Sequence, residues 1–436
     1  MSSRWIYLLL SVVCFGVYFP IVVGEALPAW MLLYPTLIFI ITVALWKYVT
    51  KIPVAVGLLL ITGYWLGCKA EHDTNSDIPV ISIDSPGLST SNGLLDIDEM
   101  KIVKLETSEQ VLLSSVSEIE IVDSLLLIKS GRELFLFDIT GKFRAKVGRS
   151  GLGPGEYITM SAFCFNPFNK EVVVIDAYKY LMLRYNYDGE YIGENKLPEG
   201  SVKWASTIRQ SSDGNLLIAN QINKFDNAAY SLISPSESKT EHLFPFEIST
   251  GNYSYYFASN PIVATNDELH FILPFDNRIF KYSNAQFETL YMINTPQPMA
   301  SKRELNQIDN FNYASYKYMA DKGLFSGFTG IFETDSIILL NYLHDGTTPA
   351  FCAINKGLKK GVSYIYPTDF SKAAVPFVPI IGCYGNSVVA YSSINMLEII
   401  TGMLPDDSPY LSQFKEVAYN SSEEDNGCLI FYRFRS

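Results

Sequence analysis

Six times along the chain a short turn of Asp, Asn, Gly or Ser is set against a run of β-branched and apolar residues. The turns lie at Asp123, Asn169, Gly214, Asp267, Asp335 and Gly385, and the runs at residues 125–129, 172–175, 216–219, 269–272, 337–340 and 388–391. Each run has the length and composition of a strand. The turn-to-turn spacings are 46, 45, 53, 68 and 50 residues. A period of roughly 40–50 residues, with several strands in each unit, predicts an all-β, six-bladed β-propeller.

Bulk properties agree with one large ring. A chain of 436 residues has room for two or three average domains, but a propeller spends such a length on one closed body. Aromatics make up 14% and charged residues only 18%, which suits pleated, half-buried surfaces. The net charge of −12, with no basic run of four, excludes a nucleic-acid footprint. The six cysteines, at 14, 68, 164, 352, 383 and 428, show neither a CxxC pair nor zinc-like spacing. Those in or beside strands are expected to be free, small core residues.

Three apolar stretches, 5–23, 27–46 and 52–67, precede the repeats. The first two, of 19 and 20 residues, can span a hydrocarbon core. The third has 16 residues, follows Lys47 and Lys51, and ends in Trp65-Leu66-Gly67-Cys68, in the manner of a signal-peptide apolar core. This resembles a bacterial lipoprotein signal, in which a peptidase cuts before a cysteine that becomes diacylated, so Cys68 is the expected lipidation site. In that case translation starts near residues 45–50. The alternative is an uncleaved anchor of three spans, with Arg4, Lys47 and Lys51 inside and Glu25 outside. Both readings export the C-terminal body and attach it to a membrane. Residues 1–68 are therefore assigned to signal or membrane spans. The polar segment 69–93 is read as a tether, and 94–436 as the propeller.

Within the ring, Asp138 to Gly141 and the Asp188-Gly189 turn join the last two strands of the first two units. The long spacing of 68 is explained by a helical insertion at 301–322, where Leu305, Ile308, Phe311, Tyr316 and Met319 recur at helical intervals. A second helix is expected from Ser408 as N-cap and Pro409 at the first helical position. Ring closure needs strands from both ends in one blade. Residues 100–105 and 429–434 are the expected pair.

The segment Gly148-Arg149-Ser150-Gly151-Leu152-Gly153-Pro154-Gly155-Glu156-Tyr157 resembles the GRxGxGPGEY-type loop of six-bladed β-propeller lipoproteins of Bacteroides-like bacteria. The ending Asp425-Asn426-Gly427-Cys428-Leu429-Ile430-Phe431-Tyr432 resembles that family's last strand, across a region of about 94–436. The resemblance implies a cell-envelope protein related to NHL-type propellers, with no reaction attached. Gly427-Cys428 replaces an apolar pair of the family pattern, which predicts weaker edge packing of that strand.

No motif in the chain carries a reaction by itself. The glycines alternate instead of forming GxGxxG, and no Lys-Ser/Thr completes a P-loop. There is no GxSxG elbow. Arg149 and Glu156 are expected to pair across the glycine loop or to face a ligand together with Tyr157, and His344-Asp345 marks a second rim turn. His72, His242, His270 and His344 are scattered, and a metal site from His270 and His344 could arise only through the fold. Gluconolactonase-like propellers hold a divalent cation with Glu, Asp and Asn in the channel, for which Asp176, Asp276 and Glu333 are the candidates here. The aromatic groups at 178–185, 253–257 and 311–318 are expected either to pack between blades or, if exposed, to stack on sugars or peptide side chains. The functional expectation is an extracytoplasmic, membrane-anchored binding or scaffold module for a glycan, peptide or protein, with no cofactor. The alternative is a metal-assisted hydrolase or lyase with a carboxylate-bound cation.

Overall fold

The computed structural model describes residues 78–83, 97–198, 205–220, 222–223, 228–236, 238–245, 254–255, 260–265, 267–308, 313–365 and 380–434. The chain divides into two units at residues 76 and 77, and every described residue belongs to the second. The expectations for Cys68, for the apolar stretches and for the first part of the tether lie outside the described residues.

Six antiparallel blades follow one another. Blade one comprises Val116–Val122, Leu125–Ser130, Glu133–Asp138 and Phe143–Lys146. Blade two comprises Met160–Asn166, Glu171–Asp176, Leu181–Asn186 and Tyr191–Lys196. Blade three is Ala205–Gln210, Leu216–Asn220, Ala228–Ser234 and Lys239–Pro245, and blade four is Ile262–Thr265, Glu268–Ile272, Arg278–Ser283 and Gln286–Asn294. Blade five is Phe328–Glu333, Ile337–His344, Thr348–Asn355 and Lys360–Ile365. All six repeat turns fall between the first and second strands of a blade.

The apolar runs are continuous because a blade buries both of its faces. In blade one, Leu127 packs against blade two, while its neighbours Leu126 and Ile128 pack against blade six. In blade two, Val172 and Val174 face blade one, and Val173 and Ile175 face blade three. Six apolar clusters result, one at each blade-to-blade interface. Tyrosine hydroxyls add cross-blade hydrogen bonds, such as Tyr230 Oη to the Ile272 carbonyl at 2.6 Å and Tyr282 Oη to Asp213 at 2.7 Å. A buried tyrosine hydroxyl usually finds such a partner, because leaving it unpaired costs free energy.

Blade six closes the ring with strands from both ends: Ile380–Tyr384, Ser387–Ser392, Cys428–Phe434 and the N-terminal Ile97–Lys104. Ile97–Lys104 pairs antiparallel with the last strand, from Ile97↔Phe434 to Lys104↔Cys428. The expected loosening at Gly427-Cys428 does not occur. Cys428 is fully buried in the core shared by blades five and six, and a Cβ on Gly427 would stand 2.3 Å from the Ser392 carbonyl oxygen. Glycine is there because two backbones meet. Cys164, Cys352 and Cys383 are also free, and burial pushes the thiols of Cys352, Cys383 and Cys428 up to about 12.

Part of the expected tether is ordered. Val80–Ser82 adds to blade four as a fifth, parallel strand beside Met292–Asn294, and Ile83 bridges to Gly361 of blade five. Composition hid this strand because only Ile81 within it and Ile83 just after it are buried, in the core between blades four and five.

The helical insertion between blades four and five is two short helices, α1 (Lys302–Leu305) and α2 (Tyr313–Asp321). A further pair, α3 (Ile394–Met403) and α4 (Leu411–Tyr419), interrupts blade six between its second and third strands. Ser393 caps α3, which the sequence reading missed. The second expected helix starts at Leu411, later than expected, because Ser408 and Pro409 are used in the preceding turns and Tyr410 holds the N-cap position.

Strand alternation sorts the connections onto two faces. Every first-to-second and third-to-fourth turn lies on one face, which carries the regular turns. Among the described residues, the second-to-third turns, the glycine loop between blades one and two and the four helices lie on the other.

Inside the ring, Arg209 of blade three lies 3.5 Å from Glu120 of blade one and also bonds Asn260 at 3.4 Å. Asn260 donates in turn to the Ile331 carbonyl of blade five at 2.7 Å. Glu120 is 5% exposed, and burial raises its carboxyl to about 7, with Arg209 opposing. The folded state therefore holds a proton that the unfolded chain releases near 4.5. Stability contributed by this group is present below that value and is lost as pH rises toward about 7. Glu120→Gln is expected to flatten this part of the stability profile, measured by denaturant melts between these pH values. In the same assay Gly427→Ala should cost more than about 2 kcal/mol, against about 1 kcal/mol for Gly385→Ala, which has positive φ but open space.

Candidate functional site

The glycine loop joins blade one to blade two on the insert-bearing face, and its hydrogen bonds explain its composition. Gly148 and Gly155 have φ of +61° and +67°, a region open to glycine at little cost. Gly151 is needed for closeness: a Cβ there would lie 2.1 Å from Glu156 Oε2. Glu156 accepts from the Gly153 amide at 2.8 Å and from Arg149 Nε at 2.5 Å. These donors, the Gly153 amide first, hold its carboxyl below the usual carboxylate range. Arg149 and Glu156 thus form the expected pair. The Arg149 side chain remains 75% exposed beyond it.

The loop is clamped to the second-to-third turn of blade two. Lys179 Nζ donates to the Glu156 carbonyl at 2.7 Å and the Gly153 carbonyl at 3.3 Å. Asp176, fully buried, accepts from the amides of Ile158 and Thr159 on the loop and of Tyr178 and Lys179 on the turn. Tyr185 Oη donates to the Gly155 carbonyl at 3.1 Å. Tyr157 is 1% exposed and belongs to the core between blades one and two. It supports the loop from beneath and has no surface to offer a ligand.

On this platform stand apolar side chains in water. Leu152 is 78% exposed at the loop tip, and Tyr178 and Tyr180 are 68% and 41% exposed on the clamped turn. Tyr180 has φ of +58°, where blade one carries Gly131 in its corresponding turn. A bulky side chain in the left-handed region costs about 1–2 kcal/mol, and such strain concentrates at functional positions. Sequence reasoning marked the aromatic group but not Leu152, because exposure and φ follow from the clamp.

The other expected site residues lie elsewhere. His344 and Asp345 belong to the second-to-third turn of blade five, half a ring from blade two. Asp345 caps its own turn through Thr347 and Thr348, and the Thr348 amide, first among these donors, holds its carboxyl down to about 2. A Cβ on Gly346 would stand 2.3 Å from the Tyr316 carbonyl, so this turn is a seat for α2. His270 bonds Glu333 at 2.7 Å in the interior. Glu333 pairs with Ile338, six residues along the strand from His344, or about 20 Å at the usual rise. The two histidines therefore do not meet.

The three carboxylates proposed for a channel cation are each committed to partners of their own. Asp176 is in blade two with its backbone amides, Asp276 in blade four with Arg278 at 2.6 Å, and Glu333 in blade five with His270 and Lys356. Among the described residues no three His, Cys, Asp or Glu side chains are grouped to hold a metal ion.

Ring and rim together define a six-bladed β-propeller whose irregular face carries a rigid, partly apolar rim. Residues 79–433 match the family described as Domain of unknown function (DUF4934), and the chain belongs to that family. The fold is similar to that of a Bacteroides fragilis protein described as exported, at 22% identity and a TM-score of 0.66, covering 82% of this chain and all of that one. A member of the duf4221 family from Bacteroides vulgatus aligns over 78% of this chain and 97% of its own, at 10% identity and a TM-score of 0.46. No curated protein matches the sequence. Among the described residues no helix is long and apolar enough to cross a membrane.

Replacing Asp176 with Ala leaves four backbone amides without their acceptor. The expected result is a loss of about 3 kcal/mol, with faster hydrogen exchange at residues 158, 159, 178 and 179. Unchanged exchange there would show that the clamp does not depend on this carboxylate.

Proposed function

We propose that this chain is an extracytoplasmic binding or scaffold module, attached to a membrane through lipid at Cys68 or through its N-terminal apolar spans. Its partner is a polypeptide taken at the rim of blade two. The observation that carries this reading is the exposure of Leu152, Tyr178 and Tyr180 on a platform whose backbone groups are clamped by Asp176, Lys179 and Tyr185. A rigid platform loses little conformational entropy on association, and tyrosine and arginine are among the side chains that carry most binding energy at protein interfaces. The Arg149 guanidinium, half committed to Glu156, adds a donor for a carboxylate on the partner. Leu152 favours a polypeptide over a sugar, since an aliphatic tip adds apolar contact but no stacking plane. Extracytoplasmic location is supported by the apolar N-terminal stretches and by the exported neighbour in Bacteroides fragilis. The acidic charge of −12 speaks against nucleic acid.

Tyr180→Gly separates function from stability. Glycine relieves about 1–2 kcal/mol of left-handed strain, which offsets the loss of the ring's own contacts, so the melting temperature is expected to change by only a few degrees, while affinity for the partner falls at least about tenfold, the scale of one hot-spot aromatic. Capture from an envelope extract by the wild-type chain, by Tyr180→Gly with Leu152→Ser, and by Tyr419→Ser as a remote exposed control tests this. A partner lost only with the rim variant supports the site. Identical capture by all three removes it, and a captured polysaccharide in place of a protein replaces the polypeptide reading.

A further inference from the structure

On the face of regular turns, the outer hairpin of blade five departs from the chain's acidic character. Asn355, Lys356, Gly357, Leu358, Lys359 and Lys360 form its tip. Leu358 is 73% exposed, and its amide is held by Asn355 Oδ1 at 2.9 Å. Lys359 and Lys360 are exposed, and neither forms an ion pair among the described residues, whereas Lys356 is tied inward to Glu333 at 2.5 Å. Asp335, on the adjoining first turn of the blade, is exposed.

This tip stands beside the point where the chain joins the ring. Ile83 bridges Gly361, three residues from Leu358, or about 10 Å along the strand. A Cβ on Gly361 would lie 2.6 Å from the Ile83 side chain, so that side chain packs directly on the Gly361 backbone. From Cys68 to Ile78, the first described residue, the chain runs ten residues, and cannot extend beyond about 36 Å. A lipid anchor at Cys68 would therefore hold the point where the chain joins the ring within about 36 Å of the bilayer surface.

We infer that the Leu358 hairpin is a membrane-surface contact, in which Leu358 enters the headgroup region of a bilayer and Lys359 and Lys360 meet anionic headgroups. It rests on the reading that residues up to 68 anchor the chain. An apolar tip flanked by lysines is the composition that lies in such an interface. The contact would hold the regular-turn face toward the lipid and leave the blade-two rim, on the opposite face, turned to the aqueous side.

The test uses the full chain in vesicles of phosphatidylglycerol and phosphatidylcholine, with a dye on Leu358→Cys and, separately, on Leu152→Cys. The unsubstituted chain labelled in parallel supplies the background from native cysteines. A quencher fixed within the acyl chains is expected to quench the dye at 358 and spare the dye at 152. Replacing Lys359 and Lys360 by Gln should lower the contact equilibrium about 25-fold, a factor of about five for each lysine. Vesicles of phosphatidylcholine alone should lower it likewise. A chain that fails to sediment with vesicles contradicts the anchoring reading. A chain that sediments while 358 is quenched no more than 152 contradicts this inference alone. Quenching unchanged by the lysine substitutions, or by loss of anionic lipid, overturns the headgroup contact.

Discussion

Every blade buries both of its faces, and a sheet with two buried faces is stable only when a neighbour stands on each side. The pairing of Ile97–Lys104 with Cys428–Phe434 meets that requirement for blades one and six at once. Without it the ring would expose the core that Leu126, Ile128 and Phe137 share with Val389 and Leu429. It would also leave open a hydrogen-bonding edge, which invites aggregation. The close approach at Gly427 and the network of Asn426, which bonds the Glu106 and Val111 carbonyls at 2.6 and 3.1 Å, belong to the same junction. The chain's ends are far apart in sequence, so this contact carries a large loop-closure cost. That cost is offset by a full strand of hydrogen bonds and two apolar interfaces.

A closed ring frees one face from structural duty. The regular turns are short because they only reverse a strand, and they lie together on one face. The opposite face receives the described connections of variable length, the glycine loop and the two helical pairs among them. Loops held by a rigid scaffold are where recognition is usually built. At blade two this freedom yields an apolar rim on a clamped base, and at blade five the same kind of turn became a seat for α2.

The repeat was legible because turn chemistry and continuous apolar runs are local properties, so the six blades and their inner turns could be read from residues such as Asp123 and Gly214. Closure was legible too, since an unpaired edge is a general problem with one common solution. The strand Val80–Ser82 was not, because its burial depends on a neighbour more than 200 residues away. The site was only half legible. The pairing of Arg149 with Glu156 follows from a short loop, but the burial of Tyr157, the use of Asp176 as a backbone acceptor and the exposure of Leu152 depend on how two blades meet. His344 and Asp345 looked like rim residues, and their turn is on the irregular face, but the contact of Gly346 with Tyr316 could not be read from spacing.

The central claim is that the blade-two rim takes a polypeptide partner, and photo-crosslinking in cells examines it most directly. A photoreactive amino acid placed at position 152 or 178 of the full chain is expected to give one discrete protein adduct, the same from both positions, with none from position 419. Absence of an adduct from 152 and 178, or an identical pattern from 419, would contradict the account.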